Sequence, residues 1–581
     1  MTFLSNIKKS ENTIDTFGGY NSNARIGENE FADMKNLTGD HFPVLASRKQ
    51  RGIYKVGTSV RGMINKDALC YVDDGKLYIN QYAVEGLALT DTEDKQLVSM
   101  GAYLIIFPDK KYINTKDLTD FGSIDATFET STTVTYTLCR PDATAYSGAT
   151  VSSTEPAHPD NGDLWIDTSE TPHILKQYSS SSAVWTEIVS TYIKISATNI
   201  ASSFQEGDAV SISGSDVING DGIYIESAHH GIDGAGDYIV VPGIIDEVTS
   251  QISPVTVSRK MPKVDFVIEG NNRLWGCRYG TDNSNNVVNE IYACKLGDFK
   301  NWNCFEGLAS DSYAASLGSD GAFTGAITYK GYPMFFKEEC LHKIYGDFPE
   351  NYQINTVACD GVQKGSYKSL AIVDSVLYYK SHSGIYAYDG SLPAKVSYAV
   401  EDGYTNAAAG GIGSKYYVSM KKNNVWTLFV YDTSKRMWYK EDNAQARDFC
   451  QMENELYMTV SNTIYTVNGS GTPITETVDG NATPVPVEWS FESGMLGIET
   501  PNRKYLSSVI IRLHLSGTAK AYVKYDNGSW VETNSISGSA LTYNLMIKLK
   551  RCDFFRIKIA GSGDFKLYSL TKIIHSGSSK V

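Results

Sequence analysis

"SVLYYKSHSGIYAYDG", residues 375–390, holds the fold in miniature. An aromatic run, Leu377-Tyr378-Tyr379, passes through the polar turn Ser381-His382-Ser383-Gly384 into a second run, Ile385-Tyr386-Ala387-Tyr388. Aromatic and β-branched residues on either side of a Ser/Gly turn read as a hairpin. The phrase recurs in "NRLWGCRYG" with "EIYACKL" (272–296), "GYPMFFKEECLHKIYGD" (331–347), "SKYYVSMKKNNVWTLFVYD" (414–432) and "NELYMTVSNTIYTVNG" (454–469). The last three intervals are about 40 residues, the usual length of one four-stranded propeller blade. "ALCYVDDGKLYINQY" (68–82) and "GAYLIIFPDKKYINT" (101–115) repeat the form upstream, which makes seven candidate blades. Radial closure leaves each blade only short, protected edges. A stack of hairpins in an open sandwich is the alternative.

Around this repeat the chain divides into an arm (1–58), first blades (59–120), an insertion (121–258), main blades (259–484) and a C-terminal region (485–581). The insertion reads as a hairpin module, 155–190, and a small closed barrel, 191–258, built from "YIKISA", "DAVSISGS", "GIYIESA" and "DYIVVPG". The C-terminal region alternates apolar and polar residues in "SSVIIRLHLSG", "KAYVKYD" and "FFRIKIAG". Strands with one wet and one dry face read as a two-sheet sandwich. The expected class is all-β: a β-propeller interrupted by small β-modules, plus a C-terminal β-sandwich-like domain, with no helix longer than a few turns.

The bulk numbers agree with this class. A chain of 581 residues exceeds one ordinary core, and 38 Tyr and 50 Gly against 12 Met favour strands and turns. A formal charge of −14 argues against gripping nucleic acid through its phosphates, although an acidic wall lets nucleic acid slide past. The nine cysteines show no CxxC pair, so buried reduced thiols and a reducing cytoplasm are expected. "MTFLSNIKKSENTID" lacks an apolar core, so no secretory signal is expected, and "YIVVPGII" (238–245) is too short to span a membrane.

No G-x-S-x-G elbow, H-E-x-x-H or P-loop stands in the sequence. The chain is therefore expected to be no enzyme, with no catalytic residues, no cofactor and no metal. His229-His230 with Asp233 and Asp237 could ligate a metal, but a solvated hairpin tip accounts for them. Asp216, Asn219 and Asp221 miss the EF-hand spacing and read as a turn. Glu338-Glu339, Asp374 and Asp389 are carboxylates of the blades that a glycosidase would need face to face. "YDNGSW" (525–530) has part of the Asp-box turn of sialidases and more simply closes a hairpin. Trp165, Tyr178 and Trp185 are the candidates for attachment or stacking on a sugar, against the plainer reading of a small hydrophobic core.

The arm, "FGGYNSNARIGENEFADMKNLTGDHFPVLASRKQRG" (17–52), resembles the N-terminal segment of the tail tubular, or nozzle, proteins of short-tailed bacteriophages. Gly18-Gly19, Asn36 and Arg51-Gly52 carry the likeness, with "RKQRG" standing where that family has "R-P-G". "NGDLWIDTSETPHILKQYSSSSAVW" (161–185) is similar to hairpins of phage tail and fibre proteins. The resemblance implies a structural virion protein, assembled in the host cytoplasm and residing in the tail. It implies a homo-oligomeric, six-fold ring that meets portal and adaptor proteins and other tail or fibre proteins, with DNA leaving through its lumen. The alternative is a tail-tip or fibre-associated propeller that binds a host-surface glycan. The arm is expected to be an ordered strap. Phe31, Met34, Leu37, Phe42, Val44 and Leu45 anchor it, and Arg48, Lys49 and Arg51 meet acidic groups on its own or an adjacent propeller; Phe31, Met34, Leu37, Phe42, Arg48, Lys49 and Arg51 are its interface candidates.

Overall fold

The computed structural model describes residues 9–231, 236–478, 481–499, 501–538 and 540–576. Strands dominate, and among the described residues there is no α-helix. Seven antiparallel units follow the repeat, six of four strands and the seventh of five. Their innermost strands are Val60–Lys66, Gln96–Met100, Phe266–Gly270, Gly325–Tyr329, Ala371–Val373, Thr405–Ile412 and Ala446–Met452. These strands contact one another in turn, with the short turn Tyr367–Ser369 bridging the fourth and fifth blades, and the seventh returns to the first. The ring is closed, and the chain is a seven-bladed β-propeller.

Closure depends on a strand the sequence assigned to the arm. Gly52–Val56 pairs antiparallel with Thr463–Thr466 and completes the seventh blade. A ring fastened by strands from both ends of its sequence resists opening at any blade junction. The arm therefore ends earlier than residue 58.

The arm upstream is built into the C-terminal sandwich. Phe31–Lys35 adds an edge strand to one sheet by pairing with Glu488–Ser493. Leu37–Thr38 and Leu45–Ser47 extend the other sheet through Phe565–Ser576. Between them Asn36 adopts a left-handed backbone (φ 55°), a conformation Asn tolerates, and the chain crosses from one sheet to the other there. Phe31, Met34, Leu37 and Leu45 are buried in one core with Phe491, Leu513 and Leu567 of the sandwich and Phe429, Trp438 and Tyr439 of the sixth blade. Propeller and sandwich thus share a single hydrophobic cluster. At Gly19 a Cβ would lie 2.3 Å from the Trp438 carbonyl oxygen, so only glycine allows the close approach there.

The insertion spans strands Ala126–Glu129 to Thr256–Arg259, and residues 191–258 do not close a barrel by themselves, because Ala126–Glu129 and Val134–Cys139 join their sheets. Its strands form two separate sheets of four and five, and among the described residues no ladder joins them. They face each other across Tyr136, Ile195, Ile212, Ile239 and Val257. A third sheet of four strands, Thr150–Ser152, Leu164–Asp167, Ile174–Ser179 and Val184–Glu187, is the hairpin module.

Candidate functional site

Three places gather polar side chains, and the arm builds the first. Arg51 Nη2 lies 2.6 Å from Glu441 and Nη1 lies 2.8 Å from Asp442. Arg48 reaches the same two carboxylates at 3.5 and 3.3 Å. Asn36 fixes the geometry: its backbone N–H donates to the Glu441 carbonyl, and its side-chain oxygen accepts from Arg48 Nε at 2.9 Å. Burial opposes charge on Asp442, yet Arg51 and Arg48 outweigh it and hold its pKa below the usual carboxylate value. Burial likewise opposes charge on Arg51, but Glu441 and Asp442 raise its pKa above the ordinary value. A cleft of about 410 Å³ opens beside this quartet, lined by Gln50, Tyr465, Val485 and Pro486.

The expected anchors divide in two. Phe31, Met34, Leu37 and Leu45 are buried within their own chain, Val44 is half-buried, and Phe42 and Lys49 face outward. Arg48 and Arg51 find their acids on the same chain's sixth blade.

The second place is the propeller axis. Lys368, at the junction of the fourth and fifth blades, lies 2.8 Å from Asp94, just before the second blade, and 2.8 Å from Asp448 in the seventh. A side chain paired with blades on the far side of the ring crosses its axis. Burial works against the ammonium, but Asp448, Tyr367 and Asp94 together drive its pKa upward. Sequence reasoning missed Lys368, because no local pattern marks a lone lysine between blades. Beside this staple lies a cavity of about 560 Å³, lined by Glu93, Asp94, Asp265, Arg278, Lys110 and Phe107 among others.

The hairpin module is the third. Trp165 is buried, its indole N–H donates to the Ser152 carbonyl at 2.9 Å, and Lys176 Nζ sits 4.7 Å from its ring centre. Trp185 packs edge-on to Trp165 at 5.5 Å and against Tyr178 at 5.3 Å. The three rings cluster on one face of the sheet, with Tyr178 and Trp185 half-buried, while Ile166 and Leu175 form the module's core on the other face. Lys176 also pairs with Asp167 at 2.8 Å.

The remaining candidates do not converge. Asp374 accepts from Thr433, Asp389 from Ser391, and Glu338 from the Lys364 amide, each local to its own turn or strand junction. His230 pairs with Asp237 at 2.6 Å while His229 stacks on Tyr238, and Asp233 lies outside the described residues. Asn219 accepts from the Ser215 amide in the turn that holds Asp216. Asp526 of "YDNGSW" lies in the turn between Thr518–Tyr525 and Val531–Ser537. Cys304, Glu306 and Asp311 bring potential ligand atoms within 4.8 Å of one another. However, one Asp311 oxygen accepts three backbone N–H groups, from Glu306, Gly307 and Leu308. Burial also pushes the Cys304 thiol up to about 11 and keeps it protonated. This cluster caps a loop. All nine cysteines are unpaired.

No protein-family model matches the chain, and no curated protein matches it. Among solved structures it is similar to an exo-β-1,3-galactanase from Phanerochaete chrysosporium, at 9% identity, over 53% of this chain and 94% of that one, with a TM-score of 0.20. It is also similar to an acylaminoacyl peptidase, at 12% identity over 55% of each chain, TM-score 0.23. A glycoside hydrolase aligns at 10% identity over 52% of this chain and 96% of that one, TM-score 0.20. Likenesses this slight carry no argument about what this chain does. The sequence reading that the chain is no enzyme is nonetheless corrected, because its ground fails. Folds named for enzymes stand among the neighbours above, but the deciding point is chemical: catalytic groups gathered from distant strands leave no local motif, so a lack of motifs does not support that exclusion.

Proposed function

We propose that this chain is a structural subunit of a bacteriophage tail, a nozzle-type ring protein whose copies surround the path of departing DNA. The observation that supports the reading is the arm. Residues 17–56 form an ordered strap that enters both sheets of the sandwich and then closes the propeller. Such an arm makes propeller and sandwich one stiff body, as a subunit that bears load in a tail requires. With Lys368 across the propeller axis, the conduit is the space enclosed by several copies rather than a hole through one. Six-fold closure needs a heterologous interface, and a predominantly acidic subunit lets DNA slide past.

A second reading, a propeller that binds a host-surface glycan, is favoured by the cavity of about 560 Å³ between the second and third blades. Its carboxylates, cationic groups and Phe107 offer both acceptors and donors to sugar hydroxyls. Imaging of the purified protein, alone and mixed with portal and adaptor, separates the two. Rings that join the portal complex are expected. A protein that stays monomeric, joins no portal, and binds or cleaves host polysaccharide would overturn the tail-ring reading in favour of the second.

A further inference from the structure

Charge is divided unevenly along this chain. Residues 121–258 hold 18 Asp and Glu against 3 Lys and Arg, whereas residues 485–581 hold 7 against 13. The insertion is thus strongly acidic and the sandwich basic. The closed ring keeps them apart: the insertion leaves between the second and third blades, and the sandwich packs on the sixth, three blades away from either. In a ring of seven that is the greatest separation possible, so the two charges lie across the propeller from each other.

Each end carries a shaped surface. On the sandwich, Met546 and Leu549 are 78% and 69% exposed, with Lys548 and Lys550 exposed beside them. This segment is held, not loose. Leu545 is buried beneath it, Asn534 accepts from the Met546 amide at 2.7 Å, and Tyr525 donates to the Lys548 carbonyl at 2.7 Å. Pre-ordered exposed apolar side chains, Met among them, flanked by cations describe a protein-binding knob. On the insertion, a cleft of about 430 Å³ lies between the hairpin module and its neighbouring sheet, with walls of Ile174, Ile188, Val189 and Ile244 and carboxylates Glu170 and Glu187. Its dimensions and charge suit an apolar knob carrying lysines.

We propose that the knob Met546–Lys550 of one copy docks in the acidic cleft of the insertion of a second copy. Because knob and cleft lie on opposite sides of the propeller, the contact is heterologous and passes from copy to copy. It deepens the ring reading and relies on it only for closure of the chain of copies into a ring.

Sedimentation velocity of the full chain tests it. Self-association is expected to weaken about tenfold or more between 50 and 500 mM salt, as screening predicts for an interface steered by charge. K548E/K550E is expected to abolish association with unchanged thermal unfolding, since both side chains are exposed. Adding E170K/E187K on the cleft is expected to restore it. Association that ignores both salt and K548E/K550E would overturn the proposal while leaving the ring reading intact. A swap that restores only open chains would keep the contact and sink ring closure, whereas two-fold pairs would overturn the heterologous contact. A wild-type protein that is monomeric throughout would overturn the contact itself.

Discussion

Two ionic clusters of this protein, one at the arm junction and one on the propeller axis, solve different problems. At the arm junction, two arginines from one short stretch meet two adjacent acids, Glu441 and Asp442, about 390 residues away. On the axis, one lysine meets two acids from separate blades. A guanidinium presents a planar fork that serves two carboxylates at fixed angles, whereas an ammonium is a compact charge on a flexible stem. The forks suit a seam between domains whose register must be set once. The stem suits a gap of uncertain width at the centre of a ring. Solvent follows the same division: Glu441 is buried, while Asp94 is 43% exposed and can rehydrate.

Breaking each cluster should expose that difference. R51M leaves Glu441 buried with only the longer Arg48 contact of 3.5 Å, and removing one partner of a buried pair costs about 3–5 kcal/mol. Urea unfolding should show that loss and a split of one transition into two, as sandwich and propeller uncouple. An unchanged single transition would mean the shared apolar core alone holds them together. K368M should cost less, about 1–3 kcal/mol, because Asp94 regains water and only Asp448 is left largely buried. Equal losses for the two variants would erase the distinction.

Acidity and alkalinity sharpen the comparison, since the two clusters respond with opposite sign. Asp442 has a depressed folded pKa, so its contribution is present above its ordinary value near 3.8 and disappears as pH falls through the folded value. Lys368 has a raised folded pKa, so its contribution is complete below its ordinary value near 10.5 and is lost as pH climbs through the folded one. Stability of the wild type relative to R51M should therefore shrink below about pH 4, and relative to K368M above about pH 10.5. Differences that stay flat across both windows would remove electrostatics as the cause.

Much of the fold was legible because each blade is a local object. A strand–turn–strand phrase such as 375–390 carries its own apolar runs and its own turn, and it needs no distant partner to be read. The anchors Phe31, Met34, Leu37 and Leu45 were legible as apolar positions in a polar stretch, and Arg48 and Arg51 as cations seeking acids. Their partners were not, because nothing near residue 48 points to residues 441 and 442. Gly52–Val56 was placed in the arm for the same reason: a lone strand has no local signature of the blade it closes. Residues 191–258 of the insertion read as a barrel since strand patterns specify faces but not which edges pair. Lys368 acquires meaning only when the ring closes around it.

The smallest expected effect concerns the arm's outer face. Phe42 is 42% exposed and Lys49 is exposed, in contrast to the buried anchors on either side of them. Neither makes an interaction that folding of one copy requires, so F42A and K49A should each shift unfolding by no more than about 0.5 kcal/mol. Assembly is the informative readout. If ring formation falls while stability holds, the arm has two working faces, one closing its own chain and one meeting the next. If assembly is also unchanged, the arm acts wholly within its chain, and the contact between copies lies elsewhere, with the sandwich knob and the acidic cleft as the places to look.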